Sequence, residues 1–120
     1  MKDSTLENLL ELNGERFVVD EVLGYWVKFA AKRMLATPER PHGIKYSLTL
    51  HDRHNQRILG FDNAHSIEYG GKTAVAPKRI HDHRHPDESE DAKPYHYTSA
   101  AKLLEDFWKA VDKKIAEAQP

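Results

Sequence analysis

The period of the apolar positions changes several times along this chain, and each change marks the border of an element. From Ser4 to Leu12, Leu6, Leu9 and Leu10 fall on one helical face behind a Ser4 or Thr5 cap, and Asn13-Gly14 supplies the stop. Between Phe17 and Leu35 two periods compete. Val18, Val19, Val22, Leu23, Trp26, Val27, Ala30, Ala31, Met34 and Leu35 recur at helical spacing, whereas Tyr25, Val27, Phe29 and Ala31 alternate as a strand would. Gly24 in mid-run and the wealth of β-branched and aromatic residues tip this segment toward strands. Two prolines and a glycine then make Thr37 to Gly43 a turn or loop.

Ile44, Tyr46, Leu48 and Leu50 alternate with Lys45, Ser47, Thr49 and His51, which is the period of a half-buried strand. Asp52 to Gln56 reads as the connecting turn and Arg57 to Asp62 as the returning hairpin strand. Gly70-Gly71 marks a loop, a further strand runs from about Lys78 to His85, and Tyr95-His96-Tyr97 is a short extended piece. Thr98 or Ser99 caps a final helix, with Leu103, Leu104, Phe107, Trp108, Val111 and Ile115 on one stripe. Burying each such side chain contributes about 1.5 to 3 kcal/mol, so this stripe, Trp108 included, is read as core against a sheet. The expected fold is α+β: an antiparallel sheet of about four to five strands packed by a C-terminal amphipathic helix, with a short N-terminal helix. No repeat or linker divides residues 1–120, and a single domain is the simplest description.

Composition narrows the setting more than the chemistry. No apolar run approaches the roughly 20 residues that span a bilayer, and neither a basic-then-apolar leader nor any Cys is present. The expectation is a soluble cytoplasmic protein without a membrane partner. A net charge of -1 conceals an uneven distribution. From Leu23 to Phe61, Lys28, Lys32, Arg33, Arg40, Lys45, Arg53 and Arg57 face only Glu39 and Asp52, so a phosphate-bearing partner could meet a basic patch on a near-neutral protein. Strands that carry solvated charges on one face explain the same pattern.

Eight histidines are many for 120 residues, and the spacing of His81, His83 and His85 is the informative part. On a strand these imidazoles form a row on one face while Asp82 and Arg84 face the other way. Neighbouring imidazoles in such a row can share a divalent metal, with Asp62 completing a set of His81, His83, His85 and Asp62. Metal-free phosphodiester cleavage is the other use of the same groups. Imidazoles would then exchange protons, and Arg84, Arg79 or Lys78 would stabilise charge on phosphorus. Asp62, Asn63 and His65 follow a predicted strand, where short polar side chains either make a turn or aim into a cleft. The plain alternative for the row is a solvated strand face, and His42, His51, His54 and His96 are read as incidental surface or turn residues.

Four stretches taken together resemble the TumE-like family: Pro41-His42-Gly43-Ile44-Lys45-Tyr46-Ser47-Leu48-Thr49-Leu50-His51, Gly60-Phe61-Asp62-Asn63-Ala64-His65, Asp82-His83-Arg84-His85 and Leu103-Leu104-Glu105-Asp106-Phe107-Trp108. The resemblance runs from about Tyr25 to Asp112. It implies the toxin half of a bacterial toxin–antitoxin module that acts on RNA, with a nearby-encoded DNA-binding antitoxin as partner. Asp62, Asn63, His65, His83 and His85 occupy the family's polar motifs, and together with Arg84 from the phosphate-stabilising reading they are the candidate catalytic residues of a ribonuclease. A non-catalytic module that binds a partner protein or nucleic acid, a metal-binding protein of other purpose, and a homodimer through edge strands all stay open.

Overall fold

The computed structural model describes residues 4–38, 41–63, 67–69, 78–80, 82–87 and 92–119. Helix α1 (Ser4–Glu11) leads into strands β1 (Arg16–Asp20), β2 (Tyr25–Arg33), β3 (Ile44–His51) and β4 (Arg57–Asp62). Strands β5 (Ile67–Tyr69), β6 (Lys78–Ile80), β7 (His83–His85) and β8 (Lys93–Pro94) follow, and helix α2 (Ala100–Ala118) comes last. The main sheet has six strands in the order β1-β2-β3-β4-β7-β8, every neighbour antiparallel. β5 and β6 pair with each other in a separate two-stranded sheet.

The ambiguous stretch after Phe17 is strand, as its β-branched and aromatic residues favour. Gly24 ends the β1–β2 turn at φ 74°, and a Cβ there would meet the Arg53 Cβ at 2.7 Å, so glycine is required twice over. Asp20 closes the same turn, its Oδ1 accepting from Leu23 N at 2.9 Å and its carbonyl from Gly24 N at 2.9 Å. The β3–β4 turn is built on Asp52, whose Oδ1 accepts from His54 N and Gln56 N at 2.8 and 3.0 Å.

Strand alternation sorts the sheet into two faces. Val27, Phe29 and Ala31 of β2, Ile44, Tyr46, Leu48 and Leu50 of β3, and Leu59 and Phe61 of β4 are buried with Leu9 of α1 and Leu103, Phe107 and Val111 of α2. Phe107 is the hub, meeting Phe29 and Phe61 edge-on at centroid distances of 5.7 and 6.0 Å. Ser99 caps α2 by accepting from Lys102 N at 3.1 Å.

The sheet departs from expectation in detail. It has more strands than four to five because β7 and β8 are three and two residues long, too short to show a period. The stretch from Lys78 to His85 is two strands in different sheets rather than one, and Asp82 between them is a bend. Extended pairing falls at Lys93–Pro94, with Tyr95 to Tyr97 outside any strand. Trp108 sits at the flank of the helical stripe and is 37% exposed, although its ring meets Phe29 at 5.8 Å. Phe107→Ala is expected to lower unfolding free energy by about 3–5 kcal/mol, and Ser99→Ala by about 1 kcal/mol. Urea denaturation followed by circular dichroism checks both, and a Phe107→Ala effect below that of Ser99→Ala contradicts this account of the core.

Candidate functional site

β4 and β7 pair with Asp62 opposite His83 and Gly60 opposite His85. Residues two apart on β7 share a face, so both imidazoles stand on the side of the sheet that carries the Asp62 carboxylate. His83 Nε2 lies 3.0 Å from Asp62 Oδ1 and His85 Nε2 3.3 Å from Oδ2, so one carboxylate engages two imidazoles with its two oxygens. The rings meet edge to face at 5.0 Å. The cluster is sheltered: His83 is 3% exposed, Asp62 and His85 16% and 12%. One ligand atom from each residue falls within a span of 4.8 Å, close enough for the three to converge on one metal ion.

The other sequence candidates separate from this cluster. Arg84 points to the opposite face, where it lines a cavity with Phe61, Tyr95, Asp106, Lys109 and Lys113 beside α2. Phe61 is its cross-strand partner and belongs to the core, so alternation alone excludes Arg84 from the histidine face. Asn63 is fully buried: its Oδ1 accepts from Tyr46 N at 2.8 Å and its Nδ2 donates to Ile44 O at 2.8 Å. Those bonds extend the β3–β4 ladder with a side chain and fix the strand end that carries Asp62. His65 and His81 lie outside the described residues, as do the side chains of Lys78 and Arg79.

A second cluster, formed by residues the sequence set aside, holds β7 in place. Asp82 accepts from Tyr46 Oη at 2.8 Å and receives His42 Nε2 at 3.1 Å, while Ile44 N donates to His42 Nδ1 at 3.3 Å. With Nδ1 accepting, the neutral ring carries its proton on Nε2 and donates it to Asp82. Tyr97 packs on both rings, 4.2 Å from His42 and 5.9 Å from Tyr46. Burial, then the Asp82 charge, raises the Tyr46 pKa far above the usual phenol range, so Tyr46 stays a donor. Asp82 directly precedes His83, and its clamp fixes where β7 begins. His42 and Asp82 stand forty positions apart with no shared spacing rule, which is why the chain pattern gives no sign of them.

On the same face as the histidines, His51 stacks on Trp26 at 4.1 Å with the planes 12° apart. Thr49 Oγ1 lies 2.8 Å from His51 Nε2, and His51 Nδ1 is 3.4 Å from Asn55 O. Burial lowers the His51 pKa; the Asn55 carbonyl opposes this, and the charges of Lys28, Arg16 and Arg57 add to the lowering. On the other face, burial alone would raise the Asp106 carboxyl, yet the hydrogen bonds from Tyr95 and Lys102 hold it below its usual value.

Comparison with known proteins gives one result. A family model described as Toxin TumE matches residues 6–115, and no curated protein and no solved structure matches.

Two outcomes are expected. Asn63→Ala strands the buried Tyr46 N–H and Ile44 C=O, each at about 1–3 kcal/mol, which urea denaturation measures. A lowered His51 pKa means that the unfolded chain binds the proton more readily in the window below 6.5. His51 therefore costs stability as pH falls through that window and costs nothing above it. The stability of His51→Gln relative to the parent should rise on acidification from neutral pH, and a constant difference contradicts the assignment.

Proposed function

Since the chain belongs to the TumE toxin family and is a toxin of a toxin–antitoxin system, we propose that it acts by cutting RNA at Asp62, His83 and His85. The observation that carries this reading is the engagement of His83 and His85 by the two oxygens of Asp62. A cognate antitoxin is its partner, and the reading puts both in the cytoplasm, where RNA is at hand.

The spacing suits a divalent metal. Two ligands bound tetrahedrally to one ion at about 2.1 Å sit about 3.4 Å from each other. The two contacts to Asp62, at 3.0 and 3.3 Å, approach that length. The burial of His83 also fits a ligand better than a group that must itself reach a polymer. Asp62, His83 and His85 would hold the ion, which would supply an activated water and charge stabilisation for the phosphate. In the reaction an oxygen nucleophile loses its proton and bonds to phosphorus while the bond to the leaving oxygen breaks and that oxygen gains a proton. Asp62 orients both imidazoles, the Asp82 clamp positions the strand that carries them, and Asn63 holds the strand end from which Asp62 projects.

The test is incubation of the purified protein with a labelled RNA, with and without chelator, beside His83→Ala. Cleavage is expected to stop with chelator and to return with one divalent ion. His83→Ala is expected to lower the rate at least about 100-fold, the lower bound for losing a positioned catalytic group. Cleavage that survives chelation but not His83→Ala assigns the same residues to acid–base chemistry without metal. No cleavage, or cleavage indifferent to the substitution, overturns the reading.

A further inference from the structure

The sheet face that carries the histidines also carries most of the strand cations. Alternation and register set Arg16 on β1, Lys28 and Lys32 on β2 and Lys45 on β3 toward this side, opposite the core residues of each strand, and the register shift between Leu50 and His51 brings Arg57 of β4 to it beside His51 and Gly60. Asp62 is the carboxylate that engages the histidines on this face. Both helices pack on the other face. A polyanion meets complementary charge along this face.

Within this face lies a row that crosses four strands. Arg16 stands over the Trp26 ring at 5.4 Å, Trp26 stacks on His51, and His51 is the cross-strand partner of Arg57. Trp26 Nε1 donates to Asn55 Oδ1 at 3.2 Å, and Asn55 is held at φ 65° in the β3–β4 turn, so the indole is fixed in its tilt. With Arg16 over its ring and His51 stacked on it, Trp26 acts as a rigid spacer between two guanidinium groups and not as a platform for a base. The row spans three inter-strand steps, about 14 Å at the usual strand spacing.

The row runs into the reaction centre. A Cβ built on Gly60 would meet Arg57 Cδ at 3.4 Å, Thr49 Cγ2 at 3.6 Å and His85 Cδ2 at 3.7 Å. The end of the row and the histidine cluster thus meet over one residue that has no side chain.

We propose that Arg16, Lys28 and Arg57, braced by the Trp26–His51 stack, form a subsite for the phosphate backbone of single-stranded RNA, continuous across Gly60 with the Asp62, His83 and His85 centre. This rests on the ribonuclease reading and extends it: the centre takes the scissile phosphate, and the row holds flanking phosphates of the same strand. Single strands suit the site because a flexible chain can follow the sheet surface and set successive phosphates on fixed cations.

The experiment separates the two claims by using a long and a short substrate. Binding of a fluorescein-labelled 12-mer oligouridylate to the His83→Ala protein is followed by anisotropy, with and without Arg16→Ala and Lys28→Ala together. The double substitution is expected to weaken binding at least 10-fold and to reduce the slope of log K against log salt by about 1.4, as for two lost phosphate contacts. In the parent background it is expected to raise KM for the 12-mer while leaving cleavage of a dinucleotide, too short to reach the row, unchanged. Unchanged affinity and KM with normal cleavage overturn the subsite and leave the ribonuclease reading standing. Weakened binding by a protein that cuts no RNA keeps the subsite and removes the reading. Unchanged oligonucleotide affinity with weakened antitoxin binding assigns the face to the partner protein and overturns the proposal.

Discussion

Antiparallel pairing of β4 with β7 is the interaction on which the rest of this structure depends. It sets Asp62 against His83 and Gly60 against His85 across an insertion that holds β5 and β6. Closing a chain segment of that length costs entropy that grows only slowly with length, but β7 has three residues with which to offset it. Its own ladder is therefore supplemented. β8 pairs on its far side, Tyr95 N donates to Asp82 O at 3.1 Å, and the Asp82 carboxylate is held by His42 and the buried Tyr46 hydroxyl. A slip of one residue would turn His83 and His85 to the core side and expose Arg84 in their place.

The two faces of the sheet do different work because their side chains alternate. One face is an apolar layer centred on Phe29, Phe61 and Phe107, closed by α1 and α2. Across the same backbone stand the Asp62 cluster, the Trp26–His51 stack and the strand cations. Residues that look like site chemistry in the chain are parts of this scaffold: Asn63 replaces a stretch of ladder, and Arg84 joins the α2 side. Rigid strands, rather than loops, thus hold the groups proposed to react, which favours a fixed geometry.

Much of the fold was legible in the chain because α2 and β3 repeat with clean periods, and Ser99 and Asp52 are strong local signals. The β1–β2 region was legible only through residue type, since its apolar positions satisfy two periods at once. Trp108 was misplaced because one position past Phe107 turns a side chain by about 100° on a helix, from the centre of the stripe to its edge. The stretch from Lys78 to His85 looked continuous because alternation of residue types persists through Asp82, whose side chain is held by His42 and Tyr46, forty and thirty-six positions back. For the same reason His42 passed as a surface residue. Asp62, His83 and His85 were legible as a group because the two histidines share a strand face at a spacing of two and Asp62 ends a strand, and their contact needed no more than the register that brings those strands together.

The account stands most directly on the single-turnover rate at which the protein cuts a labelled RNA when Asp62 is replaced by Asn. This change keeps the side-chain shape but removes the charge that engages both imidazoles. A folded variant slowed at least about 100-fold is the expected result. A folded variant that cuts at the parent rate would show that the reaction centre lies elsewhere.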